Sequence, residues 1–142
     1  MHLLVAITPH GFGHAAQVAP VINALRRRLP ALQVTLLTSL PEAFLRGRIE
    51  GSFRYMAQAA DFGLVMKSAL DIDLDASAAA YAQLHRDWQQ RVAEEVCRLE
   101  SLEPDLVLAD VPYLTLAAAR QAAIPAAALC SLNWADIYRH YF

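Results

Sequence analysis

The chain has 142 residues, 56% apolar and 18% charged, with a formal net charge of −2. That composition can bury a real core within one domain and excludes a disordered chain. It offers no electrostatic ground for nucleic-acid binding, although residues 1–58 carry six arginines against two glutamates and the remainder six basic against twelve acidic residues, which points to two differently charged faces.

Leu3–Thr8 is an apolar run without alternation, as expected of a strand buried on both faces. Thr8-Pro9-His10-Gly11-Phe12-Gly13-His14 follows it and leads into a helix over about His14–Leu29. Val18, Val21, Ile22, Leu25 and Leu29 share one stripe of that helix, and Arg26, Arg27 and Arg28 fall in its last turn, where cations favour the dipole. Pro20 should kink it or mark a late start, and Pro30 ends it. Gln33–Thr38 reads as a second strand, Pro41–Arg48 as a short helix and Phe53–Gln58 as a third strand.

Residues 59–75 have no clean period and are expected to form an exposed loop over the sheet edge. A single long helix is expected over Ser77–Leu102, because Tyr81, Leu84, Trp88, Val92, Val96 and Leu99 recur at helical spacing. On that stripe Trp88 is core. Leu106–Ala109 is a fourth strand, bounded by Asp110, and Pro112 suits the first turn of a helix over Tyr113–Ala123. Ile124–Cys130 is a fifth strand, and after Ser131–Asn133 a last helix starts near Trp134.

Strand and helix alternate throughout, so the expected architecture is α/β: a Rossmann-like three-layer domain whose parallel sheet runs in the order 3-2-1-4-5. Ligands in such sheets bind beyond the carboxyl ends of the strands where the order reverses. That places the 11–14 turn and Asp110 on either side of one crevice. The apolar N-terminal segment is short, lacks a basic lead and is broken by Pro9, so neither a signal peptide nor a transmembrane span is expected. Cys97 and Cys130 have no framework spacing, which suits a reduced, cytoplasmic protein. No set of residues has metal-ligand spacing, and there is no Walker-type lysine.

His14 is the first catalytic candidate. A neutral imidazole at the crevice can take a proton from a hydroxyl, and the helix start beside it favours the neutral form. Asp110 reads two ways: as a cap for the following helix, or as the carboxylate that holds one ring nitrogen of His14. Gly11 and Gly13 let backbone approach a ligand, and with Ala16 they match G-x-G-x-x-A. An NADP-binding reductase is therefore an alternative. Strand two ends at Leu37-Thr38-Ser39 with no acid for a ribose, but Arg46 and Arg48 could meet a 2′-phosphate. His10 gains no role. Ser131, Asn133 and Trp134 follow strand five at the same edge and suit a sugar or polyol, although Trp134 taken by itself reads first as packing for the last helix.

Three segments resemble the N-terminal domain of GT-B fold glycosyltransferases. They are Gly11-Phe12-Gly13-His14 with its helix, Pro104-Asp105-Leu106-Val107-Leu108-Ala109-Asp110 with the alanine-rich helix and Ile124-Pro125 after it, and Ser131-Leu132-Asn133-Trp134. The glycine-histidine turn with Asn133-Trp134-Ala135-Asp136-Ile137-Tyr138 also looks like the GT-B-like region that plant arabinokinases carry ahead of a sugar kinase. The resemblance implies an acceptor-binding half-enzyme in which His14 is general base, Asp110 orients it, and Gly11, Phe12 and Gly13 line the acceptor site. It also implies a separate C-terminal domain that holds a UDP- or dTDP-sugar as co-substrate, an acceptor that is a small molecule or lipid-linked, and inverting transfer with no metal. No cofactor is then bound by this domain. Gln17 stands where a proline often follows the motif histidine, with a proline only at Pro20. The end at Tyr138-Arg139-His140-Tyr141-Phe142 suggests a fragment lacking the donor domain and inactive alone, with a homodimer through exposed apolar surface as a further expectation.

Overall fold

A computed structural model describes residues 1–59, 61, 63–68 and 70–142. Five strands form one parallel sheet: β1 (His2–Ile7), β2 (Gln33–Thr38), β3 (Arg54–Ala57), β4 (Leu106–Asp110) and β5 (Ala126–Ala128). Their order is β3-β2-β1-β4-β5, as expected. The helices are α1 (Phe12–Arg28), α2 (Glu42–Arg46), α3 (Leu74–Arg86), α4 (Trp88–Leu102), α5 (Tyr113–Gln121) and α6 (Trp134–Tyr141).

The period of two along each strand divides the core into layers. Leu3, Val5 and Ile7 of β1 face one side and pack with Ala15, Val18, Ala19 and Ile22 of α1 and with Leu45 of α2. Leu4 faces the other side, among Val92 and Leu99 of α4 and Leu114 and Ala118 of α5. Both faces of β1 are therefore covered, which is why its sequence does not alternate. Parallel register pairs Ile7 with Asp110, so the last residues of β1 and β4 emerge side by side.

Helix α1 starts at Phe12 and runs unbroken through Pro20, so a late start is not what that proline marks. Pro20 is exposed, and its missing N–H costs the helix one backbone bond without leaving a buried gap. The single helix expected over 77–102 is instead two, because Asp87 leaves helical geometry (φ −118, ψ 43) between α3 and α4. The break lets the two halves cover different things. Tyr81 of α3 lies against Tyr138 of α6 with the rings tilted, whereas Val92 and Leu99 of α4 fill the core under β1. Trp88, expected in the core, is half-buried and stacked on Tyr113.

The stretch 59–75 also departs from an exposed loop. Residues 60, 62 and 69 lie outside the described ones. Lys67, Ser68, Leu70 and Asp71 are exposed as expected, but Asp61, Gly63 and Leu64 turn inward and are buried. A glycine makes that turn possible, since residue 63 has φ +67, a region other side chains avoid. The fifth strand is shorter than expected: only Ala126–Ala128 pair as β5, and all three alanines are exposed. Among the described residues, no helix is long and apolar enough to cross a membrane.

Candidate functional site

Everything at the crevice follows from where β1 and β4 stop. Beyond Ile7, the Thr8 N–H donates to the Asp110 carbonyl at 3.1 Å, which holds the two strand ends together. The chain then passes Pro9 and His10 and enters α1, with Gly11 as its N-cap and no side-chain cap. One turn into that helix, His14 lies on the inward face. Its Nδ1 meets Asp110 Oδ2 at 3.2 Å across 96 positions of sequence. Asp110 is completely buried and His14 is 8% exposed. The structure thus unites the two catalytic candidates, and the carboxylate holds the imidazole rather than capping α5, for which no side-chain cap is present.

Asp110 arrives there on a strained turn. Val111 next to it has φ 81, a region that a β-branched side chain avoids at a cost of about 1–3 kcal/mol. Burial pushes the Asp110 carboxyl above its ordinary range, the His14 partner pulls it back, and nearby Asp61 pushes the same way as burial. Asp110 Oδ1 is buried without a hydrogen bond among the described residues.

Above Gly11 and Gly13 the space is open. A Cβ at either would meet nothing within 4 Å, so this part of the turn can admit a ligand against its backbone. Phe12 is exposed and lies against Phe44, centroid to centroid 4.4 Å. Arg48 stacks its guanidinium on Phe44 at 3.7 Å, and Arg46 pairs with Glu42 and sits over Phe53. Both arginines weighed for a 2′-phosphate are thus already engaged.

The residues after β5 are placed differently from one another. Ser131 accepts a hydrogen bond from Gln17 of α1 at 3.3 Å, so it does stand beside the crevice. Asn133 caps α6: its Oδ1 accepts from the Asp136 N–H at 2.9 Å and its amide donates to the Asp136 carboxylate. Trp134 is buried, and its indole N–H donates to Asp61 Oδ2 at 2.9 Å. That tryptophan also forms one wall of a largely apolar cavity of about 540 Å³, with Tyr81, Tyr113, Tyr138, Val111 and Leu132 among its lining. Burial pushes the Tyr113 phenol well up and the Tyr138 phenol up to about 12, with Tyr81 adding to both.

Asp61 is the member that sequence reasoning missed, and His10, which it left without a role, joins it at the crevice. Burial pushes the Asp61 carboxyl up, against the Trp134 hydrogen bond, the Thr8 hydroxyl and the two histidines. His10 is half-buried, edge-on to Trp134 at 5.2 Å, and is pushed down by burial and then by His14, with Asp61 opposing. The available signal was the setting of Asp61, a lone acid ahead of Gly63-Leu64-Val65-Met66, an apolar run that suits no solvent loop. Among the described residues, no group of three or more His, Cys, Asp or Glu could hold a metal ion.

No protein-family model matches the chain. An L-arabinokinase of Arabidopsis thaliana is 31% identical over 144 residues, a match that spans 99% of this chain but only 14% of that protein. A glycosyltransferase (UGT) of Siraitia grosvenorii, solved in complex with UDP, superposes with a TM-score of 0.55 at 18% identity, covering 90% of this chain and 27% of its own. The C-terminal domain of a hydrogenase from Pyrococcus furiosus superposes with a TM-score of 0.50 at 16% identity over 89% of each chain. At such identities these likenesses speak for fold alone, and a fold so widely shared does not by itself name a reaction.

Proposed function

From a Rossmann-like domain of the GT-B type, we propose that this chain is the acceptor-binding half of a glycosyltransferase, with His14 as general base. The observation that carries this reading is the buried contact between His14 Nδ1 and Asp110 Oδ2 at the switch point of the sheet. With Nδ1 committed to the carboxylate, Nε2 is the atom that takes a proton. The acceptor hydroxyl gives its proton to Nε2 while its oxygen bonds to the anomeric carbon of the donor. The bond from that carbon to the diphosphate breaks, the nucleoside diphosphate leaves with the electron pair, and the configuration inverts. Asp110 stabilises the imidazolium so formed, and no step draws on a metal ion.

Gly11, Phe12 and Gly13 would floor the acceptor site, since the space above both glycines is open. Ser131 would form its far edge. The donor, a UDP- or dTDP-sugar, would be held by a second Rossmann-like domain of the full protein. The acceptor is a small molecule or a lipid-linked one. The free, exposed cysteines Cys97 and Cys130 suit the reducing cytoplasm.

The arabinokinase likeness favours one other reading, a sugar-binding module in front of a sugar kinase. Both are tested in the protein that carries this domain, by following nucleoside diphosphate release from UDP- and dTDP-sugars over a panel of hydroxyl acceptors. His14→Ala should lower transfer by about 10²–10⁴, the share of a general base. Absence of transfer, together with sugar-dependent ATP turnover that His14→Ala leaves unchanged, would replace the first reading by the second.

A further inference from the structure

Asp61 lies outside the His14–Asp110 pair and is nevertheless tied into it. Its segment runs between β3 and α3, and the residue is 6% exposed. Oδ2 accepts the Trp134 indole N–H at 2.9 Å, and the buried Thr8 hydroxyl also acts on the carboxylate, holding its pKa down. Trp134 stands edge-on to His10, interplanar angle 85°. His10 in turn rests on residue 63, where an added Cβ would come within 2.6 Å of its Nδ1, so only glycine admits the ring. Carboxylate, indole, imidazole and glycine therefore interlock three separate parts of the chain: the segment after β3, the start of α6 and the turn before α1.

The charges of the same groups are paired as well. Two imidazoles, His10 and His14, and two carboxyls, Asp61 and Asp110, act on one another across the crevice. Asp61 also faces Tyr113 of α5 and Tyr138 of α6. On its other side it lines a cleft of about 190 Å³ with Arg91, Glu94, Glu95 and Arg98 of α4. A carboxylate that is buried, held by the Trp134 indole N–H and the Thr8 hydroxyl and set beside two titratable rings is not spent on solubility.

We infer that Asp61 is a positioning residue of this crevice. Through Trp134 it fastens α6 over the glycine turn, and its negative charge offsets the proton that His14 takes from the acceptor. Only the last clause rests on the transfer reading; the interlock and the coupling of charges belong to the chain itself.

The test is an NMR pH titration of the chain, in wild type and in Asp61→Asn. Removing the negative charge should make His10 release its proton at lower pH, and removing a like charge should make Asp110 ionise at lower pH. Each midpoint should fall by about half a unit or more, the size of one nearby charge in a half-buried site. Trp134→Phe keeps an aromatic side chain but loses the N–H donor, so the Asp61 carboxyl should titrate higher in that variant. Unmoved His10 and Asp110 midpoints in folded Asp61→Asn, or an unmoved Asp61 in Trp134→Phe, would overturn the inference. Should Asp61→Asn not fold, Trp134→Phe decides alone. Neither titration needs a donor or an acceptor. Lost coupling with transfer intact removes this role and spares the function, and intact coupling without transfer does the reverse.

Discussion

The two flanks of the crevice are built on different principles. On the β1–β4 side, strands are buried on both faces, the register is parallel and continuous, and the His14–Asp110 contact stands on that floor. On the β5–α6 side, the edge strand is three exposed alanines, and order comes from aromatic stacking and a few directed hydrogen bonds. Close packing fixes geometry to fractions of an ångström, whereas an edge of small side chains tolerates exchange. The proposed transfer would profit from one flank of each kind, the first holding His14 and Asp110 still and the second adapting to an acceptor.

Substitutions can break that contrast in order of size. Asp110→Asn keeps the shape of the floor but loses the charge that steadies imidazolium, and should cut transfer in the full protein by roughly 10² or more with the fold intact, read by turnover and by circular dichroism. Leu37→Ala, fully buried in β2, should cost about 2–5 kcal/mol in a denaturant melt. Gly63→Ala, at φ +67 and against His10, should cost about 1–3 kcal/mol and disturb the Trp134 indole resonance. Ala127→Lys on the exposed edge should change stability by no more than about 0.5 kcal/mol. A large loss there would erase the distinction between floor and rim.

A pH series sharpens it further. Burial pushes up the carboxyls of Asp61, Glu95 and Asp110. A folded-state value above the unfolded one means that the native chain holds the extra proton. The stability this supplies is complete below the unfolded value and is lost as pH rises through the folded one. The melting temperature should therefore decline as pH is raised out of the acid range, through the window just above the ordinary carboxyl values. Glu95→Gln, on α4 and away from His14, should make that decline shallower and leave the His10 titration alone. An unchanged slope would remove Glu95 from the account.

How much of this could be read from residues alone depends on how local the cause was. The unalternating run 3–8, the glycine turn and the acid ending strand four each carry their reason within a few neighbours, and they located the floor and both members of its pair. The split at Asp87 has no such marker. No proline or glycine stands there, and the break follows from what α3 and α4 separately cover. Asp61 was illegible for the same reason, since its partner Trp134 lies 73 positions away and no periodicity links them. The fifth strand was overdrawn because an apolar run of alanines resembles a buried strand while having little to bury.

The backward bend at Val111 ties the two flanks into one device. Its side chain packs with Trp134 of the adaptable flank and with Leu64 of the segment after β3, while its backbone leads directly from the carboxylate of the rigid flank. A spring held shut by its neighbours relaxes when they move. The packing that keeps Val111 in this unfavourable backbone region therefore also keeps Asp110 where it meets His14, so one small apolar contact stands behind the geometry of the buried pair.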